Sequence, residues 1–178
     1  VWVIDAEKDI RDFLIETLDM CGFTCRSFGN PLEAIATLQA GVKPEVLFTD
    51  MSMPEASGMD VLKAMQKADP DVPVIFVSGK LTRQDLTQAL QHGLSGAIEK
   101  PFRTADIIST ANMAAKKCRT MKLIDRATRM MLYHFATIEE HLQTSGQADK
   151  RKQMKSDLLA LLASRREIQS YQKAQNQN

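Results

Sequence analysis

The apolar residues of this chain fall into two alternating rhythms. Short apolar runs bounded by proline, glycine or polar clusters read as buried strands: Val1 to Asp5, Phe23 to Phe28, Val46 to Thr49, Val72 to Ser78 and Ala97 to Glu99. Between them, apolar positions recur three and four residues apart. Ile10, Phe13, Leu14 and Leu18 stripe a helix from Ala6 to Met20, which Cys21-Gly22 ends. Leu32, Ile35, Ala36 and Leu38 stripe a second helix, with Asn30 as its cap and Pro31 at its first position. Met59, Leu62 and Met65 face inward from a helix over Ser57 to Lys67, and Thr82 to His92 is a further helix stopped by Gly93. Thr104 is expected to cap a helix beginning Ala105-Asp106-Ile107. Five strand-helix units within about 118 residues, joined by right-handed crossovers, predict an α/β fold with a doubly wound five-stranded parallel sheet.

Beyond residue 118 the rhythm changes. Neither glycine nor proline occurs between Thr104 and Ser145, so the last helix is expected to run on as one helix of roughly 40 residues, about 60 Å long. Met121, Ile124, Thr128, Met131, Phe135, Ile138 and Leu142 keep the three-four spacing of a coiled-coil seam. Ser145-Gly146-Gln147 breaks it, which places a turn near residues 145–149. Met154, Leu158, Leu161 and Ile168 then carry a similar stripe to about Tyr171, and Gln172 to Asn178 reads as a frayed polar end. The expected organisation is an α/β domain over 1–118 and an α-helical hairpin over 119–178. One hairpin buries too little apolar surface alone, so a homodimer pairing these helices into a four-helix bundle is expected. Packing of the stripe against the α/β domain is the alternative.

Composition narrows the function classes. Of 178 residues, 44% are apolar, enough for a packed core. The net charge of +1 excludes a wholesale nucleic-acid or membrane footprint. The balance is nevertheless uneven: residues 1–118 carry 12 basic and 16 acidic groups, a net −4, and residues 119–178 carry 11 and 6, a net +5. No apolar run reaches the length of a membrane span and no signal peptide is visible. Cys21, Cys25 and Cys118 form an odd set without metal-ligand spacing; read as reduced thiols, they point to a cytoplasmic protein. Val1 stands inside a strand, which points to an upstream segment.

The chemistry gathers where strands end. Asp50 follows Val46 to Thr49 and so sits at the carboxyl end of the third strand, the edge at which open parallel sheets bind ligands. Alone, it reads equally well as the cap of a turn. Asp5, Ser78 and Lys100 end strands one, four and five, which brings all four side chains to one edge. A carboxylate that accepts a phosphoryl group needs an acid to hold a divalent cation, a hydroxyl for a phosphoryl oxygen and an ammonium for developing charge. Asp5, Ser78 and Lys100 are of those types.

On these motifs, Asp5 at a strand end, Asp50-x-x-Met53-Pro54 followed by Gly58, Ser78-Gly79 and Lys100-Pro101-Phe102, residues 1 to 118 resemble the receiver domain of two-component response regulators. The resemblance implies a flavodoxin-like sheet of strand order 2-1-3-4-5. It makes Asp50 the phosphoacceptor, Ser78 the switch hydroxyl and Lys100 the phosphate-pairing group. It implies a metal site of Asp5, Asp50 and the carbonyl of Ser52 holding Mg2+, a cis Lys100-Pro101 peptide, and a histidine kinase or phosphotransfer protein as phosphodonor. Two positions depart from the family pattern. Ala6 stands where a second acid is usual, the next acid being Glu7, so Mg2+ is expected to bind weakly and Ala6→Asp to tighten it. Ala97 stands where receivers commonly carry a mobile aromatic ring. The protein is therefore expected either to signal through another surface, the helical tail and a protein partner, or to be a pseudo-receiver scaffold that is not phosphorylated. A third reading, an RNA-binding tail, rests on the +5 charge and Asp125-Arg126-Ala127 near Met130-Met131; its further pattern is missing and a nucleic-acid partner is not expected. His134 and His141, one heptad apart, read as solvated flank residues rather than phosphotransfer groups. No helix-turn-helix or catalytic domain fits the last 60 residues, so the protein is expected not to be an enzyme.

Overall fold

A computed structural model of the chain describes residues 1–175. Its elements run β1 Trp2–Ile4, α1 Lys8–Asp19, β2 Arg26–Phe28, α2 Pro31–Gln39, β3 Leu47–Thr49, α3 Gly58–Ala68, β4 Val74–Ser78, α4 Arg83–Gln91, β5 Gly96–Glu99, α5 Thr104–Thr144 and α6 Ala148–Gln175. The chain divides into two compact units, Val1–Thr120 and Met121–Asn178.

In the first unit all five strands are parallel and ordered β2-β1-β3-β4-β5. Strand residues alternate between two layers. Trp2, Ile4, Leu47 and Phe76 pack with Ala34 and Leu38 of α2, Met59, Leu62 and Met65 of α3, and Ala89 of α4. Val3, Phe48, Ile75 and Val77 pack with Leu14 and Leu18 of α1 and Ile107 and Ala111 of α5 on the other side. A strand covered on both faces explains why β1, β3 and β4 read as continuous apolar runs. Each large side chain so buried contributes about 1.5–3 kcal/mol.

The elements differ from expectation mainly at their ends. β1, β2, β3 and β4 are shorter than their apolar runs, and α1 begins at Lys8 because Asp5 to Glu7 form the loop that joins it to β1. In α2 the buried side is Pro31, Ala34 and Leu38, while Leu32 is 49% exposed and Ala36 is also outside. α5 begins at Thr104 itself, and the Asp106 carboxylate turns back to accept the backbone N–H of Arg103. Helix α6 continues to Gln175, so Gln172 to Gln175, expected to fray, are helical; residues 176–178 lie outside the described residues.

The second unit is a helical hairpin of α6 with the later turns of α5. Gly146, with φ +71°, turns the chain, the N–H of Gln147 donates to the carbonyl of Leu142 at 3.2 Å, and that of Ser145 to His141 at 3.0 Å. Glu139 clamps the two helices by accepting from Arg151 at 3.0 Å and lying 2.6 Å from the Lys155 ammonium. Hydrogen bonds from Lys155 and Arg151 hold its carboxyl below the usual range. Of the seam residues, Met121 and Thr128 are buried, Ile124, Phe135 and Leu142 half-buried, and Met131 and Ile138 about half exposed, at 49% and 47%. Met154 and Leu158 of α6 are half-buried and Leu161 is 38% exposed; the side chain of Ile168 lies outside the described residues. Among the described residues no helix is long and apolar enough to cross a membrane.

Candidate functional site

The sheet brings four of the expected residues to its carboxyl edge. Parallel pairing continues one residue past the strand ends, with Asp50 N–H donating to Ile4 O at 2.9 Å and Asp5 N–H to Phe28 O at 3.3 Å. These bonds fix both carboxylates next to one another. Asp50 is 8% exposed and Asp5 1%. Asp50 Oδ1 accepts the N–H of Met51 at 2.7 Å, and Asp5 Oδ1 that of Glu7 at 2.9 Å, which leaves each with an Oδ2 turned to other partners.

Those partners come from β5. The N–H of Lys100 donates to Ser78 O at 2.9 Å, and the Lys100–Pro101 peptide is cis. The Lys100 ammonium lies 2.8 Å from Asp5 Oδ2, 3.2 Å from Glu7 Oε1 and 3.8 Å from Asp50 Oδ2. Burial alone would lower the Lys100 pKa, but the hydrogen bond to Asp5 and the charges of Asp5 and Asp50 outweigh it and hold the amine charged. Burial raises Asp5 above its ordinary value, against the lowering effect of Lys100, with Asp50 adding to the rise. Ser78, at the end of β4, is 2% exposed, and its hydroxyl makes no hydrogen bond to any described residue. A buried hydroxyl without a protein partner is costly unless a water or a ligand completes it.

Two residues at this edge were not singled out from sequence. Glu7, noted only as the next acid after Ala6, places a carboxylate oxygen with those of Asp5 and Asp50, all within 4.8 Å of one another. Arg11, one turn into α1, donates to the carbonyls of Asp5 at 2.7 Å and Ala6 at 3.0 Å and so pins the loop between them. Only the tertiary arrangement reveals either; the single sequence signal is an acid two residues beyond Asp5. Ser52, expected to offer its carbonyl, lies exposed in the loop after β3, and Ala97 is exposed on β5.

This donor set fits a hard divalent cation. Its atoms are carboxylate oxygens, the ligands Mg2+ prefers, and the Lys100 ammonium already sits among them as a tethered cation. A buried acid, an ammonium and a buried hydroxyl stand around a second acid at the carboxyl edge of a doubly wound sheet, the class of site that the sequence resemblance implies.

Comparison with known proteins agrees with that class. Residues 1–112 match the family model of the response regulator receiver domain, and the chain belongs to this family. The C4-dicarboxylate transport transcriptional regulatory protein DctD of Rhizobium meliloti is 34% identical over 119 residues, 67% of this chain and 26% of that protein. The DNA-binding transcriptional regulator NtrC of Salmonella typhimurium is 32% identical over 114 residues, 64% of this chain and 24% of that protein. The chain thus spans about a quarter of the length of these relatives. Among solved structures, the receiver domain of NtrX from Brucella abortus superposes with a TM-score of 0.60 at 28% identity, covering 65% of this chain and 97% of that one. A receiver domain protein from Clostridium thermocellum gives 0.63 at 26% identity, covering 67% and 96%. Receiver domains are phosphorylated by histidine kinases or phosphotransfer proteins and bind Mg2+ at an acidic pocket. The expected α/β class, strand order and family are thus borne out, while the family model ends at residue 112 and leaves the helical extension uncovered.

Proposed function

We propose that this protein is a cytoplasmic response regulator in which the receiver, residues 1–118, accepts a phosphoryl group on Asp50 and the hairpin, residues 119–178, passes the signal to a protein partner as a homodimer. The observation that carries the reading is the unpartnered, buried Ser78 hydroxyl at the edge where the Lys100 ammonium faces Asp50. In the transfer, a carboxylate oxygen of Asp50 attacks phosphorus as the bond from phosphorus to the donor histidine nitrogen breaks. The imidazole leaves with that electron pair. The Lys100 ammonium pairs with one phosphoryl oxygen and the Ser78 hydroxyl donates to another, meeting charge where it develops. Asp5, Asp50 and the carbonyl of Ser52 would hold Mg2+, which neutralises phosphoryl charge when bound.

The tail reading rests on an apolar groove of about 520 Å³ along the hairpin, lined by Met130, Met131, Phe135, Ile138, Leu158 and Leu161 among others. Its occupant in this reading is a second copy. Both helices contribute to the same face, so a two-fold axis lays identical grooves on one another and closes a four-helix bundle. With Ala97 exposed and small, the sheet edge that would otherwise carry an aromatic switch offers little to grip.

Incubation with acetyl phosphate and Mg2+, followed by intact mass, tests the acceptor. One added phosphoryl group, absent from Asp50→Asn, is the expected result. An unlabelled parent protein would leave the scaffold reading in its place.

A further inference from the structure

We infer that Glu7 takes over the metal-binding duty left vacant by Ala6, supplying the third carboxylate of the divalent-cation site from one residue further along the loop. The inference rests on the receiver reading above and adds a ligand that the family pattern does not place there.

Four observations converge on it. The Glu7, Asp5 and Asp50 oxygens lie within 4.8 Å of one another. Two oxygens on one Mg2+ at 2.0–2.1 Å bonds stand no more than about 4.2 Å apart, so a small side-chain rotation closes the set. Second, Glu7 is 67% exposed in its side chain and could extend into water, yet its Oε1 reaches inward to within 3.2 Å of the Lys100 ammonium. It is already drawn to a cation at this place. Third, Glu7 stands at the N-cap of α1 with no side-chain capping bond, so the helix makes no claim on its carboxylate. Fourth, the loop is held in the conformation that aims it: Arg11 binds the carbonyls of Asp5 and Ala6, and the N–H of Glu7 itself donates to Asp5 Oδ1 at 2.9 Å.

The chemistry also says how such a site differs from one built with adjacent aspartates. Glutamate carries one more rotatable bond than aspartate, and here it is largely in solvent, so ordering it costs more entropy. Binding is weaker than with two short, buried acids, but stronger than Asp5 and Asp50 provide without it. The same carboxylate also holds Lys100, so a cation recruiting Glu7 loosens one of the three contacts that seat the ammonium, leaving it freer to turn to a phosphoryl oxygen on Asp50.

The test is Mg2+ titration by calorimetry on the full chain for the parent, Glu7→Gln, Ala6→Asp and the double variant, with Mn2+ relaxation of water protons as a second readout. Glu7→Gln should weaken binding roughly tenfold, within the range typical for losing a supporting group at a metal site. The loss should persist in high salt, where a mere field from an exposed charge is screened. Ala6→Asp should restore affinity in the Glu7→Gln background and tighten binding in the parent by a smaller factor than in that background. Equal affinity in parent and Glu7→Gln, or a loss that vanishes in high salt, overturns the inference. Acetyl phosphate labelling separates it from the receiver reading: labelling of the parent with a silent Glu7→Gln sinks Glu7 alone, whereas a parent that neither binds Mg2+ nor labels sinks both.

Discussion

At the scale of single residues, Asp50, the proposed phosphoacceptor, is held by what is missing beside it. A Cβ on Gly58 would stand 2.2 Å from the carbonyl oxygen of Asp50 and 3.0 Å from Met51 Cα, both backbone atoms that cannot swing aside. The N–H of Gly58 meanwhile donates to Met51 O at 3.0 Å, tying the start of α3 to the end of β3. Gly58→Ala should therefore cost about 1–3 kcal/mol, as overpacking does, and should also slow labelling because relief comes from moving Asp50. Urea midpoints and labelling rates on one sample check this; an alanine variant as stable and as fast as the parent would show slack in the loop. The spacing from Asp50 to Gly58 was legible in the sequence. Its reason was not, because the contact joins backbone atoms across a loop whose course depends on the fold. The same loop turns through Glu55 at φ +69°, whose carboxylate accepts from Asn30 Nδ2 at 2.6 Å, and no local pattern announces that pairing.

At the scale of elements, helix starts are specified twice over. Ser57 with Asp60 and Thr82 with Asp85 form reciprocal capping boxes at α3 and α4. Ser57→Ala should cost about 1 kcal/mol. The Ser57 hydroxyl and backbone N–H hold the Asp60 carboxyl below its ordinary value. A depressed folded value means stabilisation that is complete above the unfolded pKa and is lost as pH falls through the folded one. The gap between parent and Ser57→Ala should hence shrink on going from neutral pH to about pH 3. Urea unfolding at the two pH values measures it, and an unchanged gap would remove the Asp60 carboxylate from the account. Order and type of element were readable because α2, α3 and α4 carry their own start signals and the strands their own apolar runs. The inner side of α2 was not. Leu32 and Ala34 are both apolar, yet the helix turns Ala34 inward with Leu38 and leaves Leu32 outside, a choice of face that composition alone does not make. In the site, Asp5, Asp50, Ser78 and Lys100 were found because each ends a strand, whereas Glu7 and Arg11 lie in or after a loop whose path only the folded sheet sets.

At the scale of the whole molecule, the hairpin's two kinds of seam position separate folding from association. Phe135 is half-buried between helices, so Phe135→Glu would damage the hairpin as well as any dimer. Met131 is 49% exposed on the groove. Met131→Glu should leave the helical signal in circular dichroism intact and turn a dimer into a monomer by light scattering, as should ending the chain at Thr120. A persistent dimer in the shortened chain would move the interface to the receiver. The seating of Lys100 has a consequence at this scale too, in charge balance. Asp5, Glu7 and Asp50 against one ammonium leave two negative charges, the amount a single divalent ion cancels. Converting Asp50 to its acyl phosphate exchanges one negative charge for about two, leaving the edge under-neutralised again. An ion held there is then bound harder after transfer than before, and by reciprocity the ion favours the phosphorylated state to the same degree. Retention of the cation and the population of the phosphorylated state become one equilibrium.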